Sequence, residues 1–189
     1  MILWITGISG SGKTTLGKHF YKQFARKYKN TIFLDGDEFR SLFGNDLKYT
    51  IKDRDKNAQR MTSFVKYISQ QKINLIISAN ITSEKYRRWC RNNLKNFNQI
   101  YLRASIEQLK KRDYKGLYHK AIKKKIKNVV GIDLPFIEPK HIDLYLENNG
   151  SKKKFLYKTK LINNFLKQKI VSLMNHQAPS SGSCIIKTR

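Results

Sequence analysis

Apolar residues arrive along this chain in two kinds of run. Short, nearly unbroken blocks occupy Met1 to Ile5, Thr31 to Leu34, Ile73 to Ser78, Gln99 to Leu102 and Ile142 to Leu146, the signature of buried parallel strands. Between them the spacing opens to three and four residues. Leu16, Phe20 and Phe24 form one stripe, and Met61, Phe64, Val65 and Ile68 form another in a helix beginning near Ile51. Residues from Ser83 to about Asn96 are charged and helix-compatible, and Ser105 with Gln108 makes a capping box for a short helix ending near Arg112. Ser151 can cap a last helix carrying Ile162, Phe165, Leu166, Ile170 and Leu173 on one face. Residues 113–140 mix glycine, proline and lysine without a long period and predict an ordered but mobile loop region. Strands alternating with helices predict a three-layer α/β/α sandwich around a parallel five-stranded sheet. One domain, 1–175, is expected. From His176 the composition shifts to Ala, Pro, Ser and Gly, so 176–189 reads as a disordered tail.

Composition narrows the classes. The chain has 189 residues, with 39 Lys and Arg against 13 Asp and Glu, a formal charge of +26. Its 40% hydrophobic content supports a full core despite that charge. No run of apolar residues reaches the length of a membrane-spanning helix, and MILWITGISG reads as a first strand rather than a signal peptide. Cys90 and Cys184 make neither a disulfide framework nor a metal cluster, which fits a reducing, cytoplasmic location. The charge calls for an anionic partner. Its lysines are scattered (Lys27, Lys29, Lys72, Lys95, Lys123 to Lys125, Lys152 to Lys154) rather than gathered on one face with interleaved aromatics. No helix-turn-helix, zinc or RNA-binding motif accompanies them, so specific nucleic-acid recognition is not expected. A nucleic-acid-binding protein or polynucleotide kinase stays as a distant alternative, with non-specific polyanion adhesion at low salt.

The sharpest chemistry follows the first strand. Gly7-Ile8-Ser9-Gly10-Ser11-Gly12-Lys13-Thr14 matches G-x-x-x-x-G-K-[ST], with a strand before it and a helix after. Such a loop curls backbone N–H groups around a phosphate and aims a helix N-terminus at it. Lys13 then reaches the outer phosphates, and the Thr14 hydroxyl takes a Mg²⁺ position. The expected ligand is a nucleoside triphosphate. A motor or ATPase would end an apolar strand in an acid, but Ile73 to Ser78 runs into Ala79-Asn80. The nearest acids are Asp35 and Asp37, in Asp35-Gly36-Asp37 after the second strand. In an extended segment both would point to one side, where small-molecule kinases orient an acceptor hydroxyl and a metal-bound water.

At this point the chain resembles the adenylylsulfate kinase family over about residues 2–147. Gly7 to Thr15 looks like the family's phosphate loop, and Leu34 to Arg40 (LDGDEFR) is similar to its LDGDxxR segment. Asp46-Leu47, Asp53-Arg54, Asn57 and Arg60 follow its DLGFS…DRxxNxRR stretch. Arg112 to Tyr118 (RDYKGLY) resembles RDPKGLY, and Gly131 to Phe136 (GIDLPF) resembles GIDxPY. The resemblance implies an ATP- and Mg²⁺-dependent kinase that phosphorylates a ribose 3′-hydroxyl on a small nucleotide acceptor. It implies that Gly7, Ser9, Gly10, Ser11, Gly12, Lys13, Thr14 and Thr15 bind ATP, with Thr14 and Asp35 at the metal. Asp37 would orient or deprotonate the acceptor hydroxyl, with Lys13 and Asp35 as its catalytic partners. Arg40 and Arg54 would grip the acceptor's anionic 5′ group, with Tyr49, Asn57, Asn80, Ile81, Lys115 and Phe136 around the rest of it, Phe136 stacking on the base. Arg112, Lys115, Gly116 and Leu117 would belong to a lid, about 113–140, that closes over the transferring group. A homodimer is kept open as the assembly.

The departures from the family fall on the acceptor side. Its LGFS is Leu47-Lys48-Tyr49-Thr50 here, its paired arginines are Gln59-Arg60, and its FISPYR is Asn80 to Lys85. Tyr114 replaces the lid proline, and the acid after the PY motif is displaced to Glu138. Intact ATP motifs beside drifted acceptor motifs suit a changed acceptor. Relatives in bacterial capsule gene clusters that phosphorylate cytidine diphosphoramidate offer one, and Asn80 carries an amide suited to a pyrimidine edge. The expectation leans slightly to that acceptor, with adenylyl sulfate as the alternative.

Overall fold

Each apolar block becomes a strand and each three-four stripe a helix. In the computed structural model, which describes residues 1–113 and 116–177, the chain runs β1 (Ile2–Thr6), α1 (Lys13–Lys27), β2 (Thr31–Asp35), α2 (Gly36–Ser41), α3 (Ile51–Ser69) and β3 (Asn74–Ser78). It continues through α4 (Glu84–Asn93), β4 (Phe97–Arg103), α5 (Ile106–Arg112), α6 (Leu117–Ile122), β5 (Leu144–Glu147), α7 (Lys152–Leu156) and α8 (Thr159–Gln177). The five strands are parallel in the order β2-β3-β1-β4-β5. Ile2 is in register with Leu75 on one side and Phe97 on the other.

Period-two alternation sends the two sets of strand side chains into separate cores. Leu3, Ile5, Ile76, Ile100 and Leu102 pack under Leu16 and Phe20 of α1 and Ile162 and Leu166 of α8. Ile2, Trp4, Leu75, Ile77 and Phe97 pack on the opposite face under Phe39, Met61, Val65 and Cys90, from α2, α3 and α4. Trp4 is fully buried and its indole N–H donates to the Ala79 carbonyl at 2.9 Å. Truncating such a side chain costs about 3–5 kcal/mol. Cys90 is a free, buried thiol, pushed up to about 12 by burial. These are the three expected layers. β1 lies central in the sheet, with β2 and β3 on one side and β4 and β5 on the other. The crevice above its carboxyl end is therefore where the connections part, the place where open α/β sheets bind ligands.

Four local expectations are corrected. Asp35 and Asp37 do not share one side of an extended segment, because Asp35 caps α2 and Asp37 lies in that helix's first turn. Strand β5 starts at Leu144 rather than Ile142, since the Asp143 carboxylate accepts the Gln99 N–H at 2.8 Å, which takes a ladder position. The last helix is two helices, Ser151 capping α7 and Thr159 opening α8, whose end at Gln177 passes the composition change at His176. The rest of the expected tail, 178–189, lies outside the described residues. The 113–140 stretch contains a helix, α6, and a small core of its own: Tyr118, Ala121, Val129 and Val130 pack with Ile8, Ala104 and Leu109.

Candidate active site

The phosphate loop joins the end of β1 to α1. Gly7 is required there because a Cβ would come within 2.4 Å of the Leu102 carbonyl. Gly12, with φ +99°, precedes the helix in the left-handed region, and a Cβ on it would meet Asn148 Nδ2 at 2.8 Å and the Phe155 ring at 2.9 Å. Ser11 is buried, its hydroxyl without a partner, while Ser9, Gly10, Thr14 and Thr15 are exposed along the opening. The Lys13 ammonium donates to the Ile8 carbonyl at 3.0 Å, arching back over the loop.

Strand β2 delivers the acids beside this loop. The Thr14 hydroxyl donates to Asp35 Oδ2 at 2.7 Å, and Asp35 Oδ1 accepts the Asp37 N–H at 2.9 Å. Asp35 is buried, and Asp37 is exposed in the first turn of α2. A hydroxyl and a carboxylate in contact are hard oxygen ligands suited to Mg²⁺, which characteristically binds through one or two protein groups plus substrate phosphates. Among the described residues no cluster of three or more His, Cys, Asp or Glu could hold a metal by itself. The donor set fits a metal shared with a nucleotide.

A second group gathers where α2 meets α3. The Arg40 guanidinium is buried, donates to the Leu47 and Lys48 carbonyls at 3.2 and 3.0 Å, and lies 4.9 Å from the Tyr49 ring. The Arg54 guanidinium lies 5.4 Å from the same ring and donates to the Tyr49 and Asn128 carbonyls at 2.9 and 2.8 Å. Burial and the Arg40 cation hold Arg54 below its usual range. Neither guanidinium has a carboxylate ion pair among the described residues. Asn57, one helical turn beyond Arg54, has a buried Oδ1 with no partner.

The remaining predicted residues divide. Asn80, after β3, accepts the Thr6 hydroxyl proton at 3.3 Å. Ile81 is 2% exposed and packs into the core beside Phe39 and Met61, so its side chain serves packing. Phe136 stacks on Tyr101, with ring centroids 5.9 Å apart and planes at 27°. Arg112 donates to the Gly150 carbonyl at 3.4 Å, Gly116 precedes α6 in the left-handed conformation, and Leu117 packs against the small core around Tyr118. Lys115 lies outside the described residues.

Several contributors went unassigned in the sequence. Tyr118 belongs to the RDYKGLY motif, and its hydroxyl donates to the Ser9 carbonyl at 2.7 Å. Asn148 gives no signal beyond an Asn-Asn-Gly turn after a strand, yet its amide donates to the Ser11 carbonyl at 2.8 Å. Arg87 donates to the Ile81 and Thr82 carbonyls at 2.8 and 3.1 Å and so fixes the loop that carries Asn80. A cavity of about 240 Å³, lined in part by Asn148, Asn149, Gly150, Lys154 and Phe155, opens beside Gly12.

A phosphate loop paired with a carboxylate at the end of β2, where β3 ends without an acid, marks a small-molecule kinase rather than a motor. Comparison with known proteins agrees. The profile of the family described as Adenylylsulphate kinase matches residues 1–147. Cytidine diphosphoramidate kinase of Campylobacter jejuni is 39% identical over 148 residues, 78% of this chain and 86% of that protein. Adenylyl-sulfate kinase of Halothermothrix orenii is 35% identical over 147 residues, covering 78% and 80%. The structure of the Mycobacterium tuberculosis APS kinase CysC in complex with AMPPNP and APS superposes with a TM-score of 0.78 at 24% identity, covering 88% of this chain and 96% of that one, a likeness of fold. The chain belongs to the adenylylsulphate kinase family, and it is an ATP-dependent phosphotransferase.

Proposed function

We propose that this enzyme transfers the ATP γ-phosphoryl group to the ribose 3′-hydroxyl of cytidine diphosphoramidate. The observation that carries an anionic acceptor is the pair of guanidiniums, Arg40 and Arg54, bracketing Tyr49, while the carboxylates whose charge reaches them, Asp46 and Asp133, are engaged by Arg60 and by the Asn128 and Val129 N–H groups. Two cations whose hydrogen bonds go to backbone carbonyls keep charge for an oxyanion, and planar guanidiniums bind one in bidentate fashion. The lean toward a cytidine acceptor draws support from the 39% identity to the Campylobacter jejuni enzyme and from an amide, Asn80, at the end of β3.

In this reading Ser9 to Thr15 hold the ATP phosphates, Lys13 neutralises charge on the outer ones, and the cavity beside Gly12 receives the nucleoside. Thr14 and Asp35 would hold Mg²⁺, which would supply neutralisation of the phosphate charge. Asp37 orients the 3′-hydroxyl and accepts its proton as the ribose oxygen bonds to the γ phosphorus and ADP leaves. Asn57 offers its unpartnered acceptor to the acceptor nucleotide, Phe136 stacks on its base, and Arg112, Gly116 and Leu117 belong to the lid. The family membership and the intact LDGDEFR segment favour a second reading, adenylyl sulfate as acceptor. ADP release measured with each acceptor, all else equal, decides. Faster release with cytidine diphosphoramidate supports the proposal, and faster release with adenylyl sulfate replaces it. A reduced, buried Cys90 and the need for ATP support a cytoplasmic location. No helix among the described residues is long and apolar enough to cross a membrane. A homodimer is part of the same proposal, and light scattering reads its mass.

A further inference from the structure

Two side chains from outside the phosphate loop grip its backbone at alternate peptides. The Tyr118 hydroxyl, from α6, donates to the Ser9 carbonyl at 2.7 Å. The Asn148 amide, from the turn after β5, donates to the Ser11 carbonyl at 2.8 Å. Both side chains are buried, at 2% and 6% exposure. In each case the residue that follows the gripped carbonyl is a glycine, Gly10 or Gly12.

A trans peptide is planar, with its C=O and N–H pointing in opposite directions. Fixing the Ser9 carbonyl toward the lid therefore sends the Gly10 N–H the other way, and fixing the Ser11 carbonyl does the same for the Gly12 N–H. No hydrogen bond within the described residues uses either N–H. Glycine adopts both signs of φ with little penalty, so these two peptides are the ones in the loop that could flip and turn a carbonyl oxygen toward the nucleotide. We infer that Tyr118 and Asn148 are positioning residues that lock the Ser9–Gly10 and Ser11–Gly12 peptides with their N–H groups facing the phosphates of ATP.

The placement of the two donors sharpens their roles. Asn148 belongs to the sheet end and is fixed with it, its backbone N–H donating to the Arg103 carbonyl at 2.8 Å. Tyr118 belongs to the lid helix, whose first turn is capped by Asp113: Oδ1 accepts the Tyr118 N–H at 3.0 Å and Oδ2 the His119 N–H at 2.8 Å. Burial pushes the Tyr118 phenol up to about 12, which keeps it a donor across the working pH range. The Leu109 methyl and the Tyr118 ring also close off Gly10, where a Cβ would meet them at 3.3 and 3.7 Å. The lid root thus prepares the cradle for phosphate, and does not only cover it.

This inference rests on the loop being the ATP phosphate site, and the test separates the two. Dissociation constants are measured for AMP-PNP and for adenosine with Tyr118→Phe, and for inorganic tripolyphosphate with Asn148→Leu. Each substitution removes one hydrogen bond from a loop peptide. The expected loss is roughly three- to tenfold for AMP-PNP and for tripolyphosphate, with adenosine affinity unchanged by Tyr118→Phe. A wild-type constant for AMP-PNP, or an equal loss for AMP-PNP and adenosine, overturns the role given to Tyr118. A wild-type tripolyphosphate constant overturns that of Asn148. Lys13→Ala serves as the reference: retained AMP-PNP binding in that variant overturns the phosphate site itself, whereas its loss establishes the site against which the other two variants are read.

Discussion

The phosphate loop and the acceptor side are secured in different ways. The loop is anchored to the interior: Gly7 lies against the Leu102 carbonyl, Ser11 is buried, and buried side chains hold two of its carbonyls. On the side proposed for the acceptor, Arg40 is buried but its aromatic partner lies open to solvent. Tyr49 is 50% exposed between two arginines that bond to loop carbonyls, and Phe136, half-buried, stacks on Tyr101 at the margin of the small core around Tyr118. A substitution in the loop therefore disturbs the core, while one around Tyr49 disturbs little beyond its neighbours. That difference matches where the chain keeps its family's motifs and where it departs from them. Drift is tolerated physically on the side proposed to choose the acceptor.

The comparison breaks most visibly at Lys13 and Asp37. Lys13→Ala should lower kcat/KM by roughly 10²–10³-fold or more. Asp37→Asn should lower kcat by about 10²–10⁴-fold with AMP-PNP affinity retained. Wild-type turnover by Asp37→Asn would remove its assignment as base. A smaller effect is expected at Arg54, where lysine keeps the charge but loses the planar fork. Arg54→Lys should raise the acceptor KM about tenfold and leave the ATP KM unchanged. A shift in the ATP KM instead would mean that the two sides are not independent. The smallest change is expected at Tyr101, buried, its phenol raised above the ordinary range by burial and by Glu138, to which it donates at 3.1 Å. Tyr101→Phe keeps the ring beneath Phe136 and removes that bond. Steady-state kinetics should show an acceptor KM raised only about three- to fivefold.

Much of this architecture was legible in the sequence, and the exceptions have physical causes. The apolar blocks gave the strands because a parallel strand buried on both faces must be apolar throughout. The glycine-lysine-threonine signature located the loop because its backbone geometry admits few alternatives. Helix α2 escaped notice because six residues are too few to show a period, and its carboxylate cap, Asp35, reads equally well as a turn. Helix α6 is hidden similarly, its apolar residues packing with nearby Leu109 and with Ile8, which is distant in sequence. Tyr118 and Asn148 act through contacts 109 and 137 residues away along the chain. No local pattern records such pairs. Ile81 shows the reverse: a motif position beside the site whose side chain proved to be core.

The central place of β1 has a consequence for how the protein is made. It precedes in the chain both of its neighbours in the sheet, β3 and β4, with partners at Leu75 and Phe97. Until synthesis passes Arg103, the segment ILWIT has an unfilled edge and a fully apolar face on each side. High contact order of this kind slows folding and prolongs the lifetime of exposed strands. The phosphate loop, fastened to the end of that strand, is therefore among the last features to take shape. The enzyme's yield on overexpression should therefore rise when synthesis is slowed by cooling, read as the soluble fraction at two temperatures.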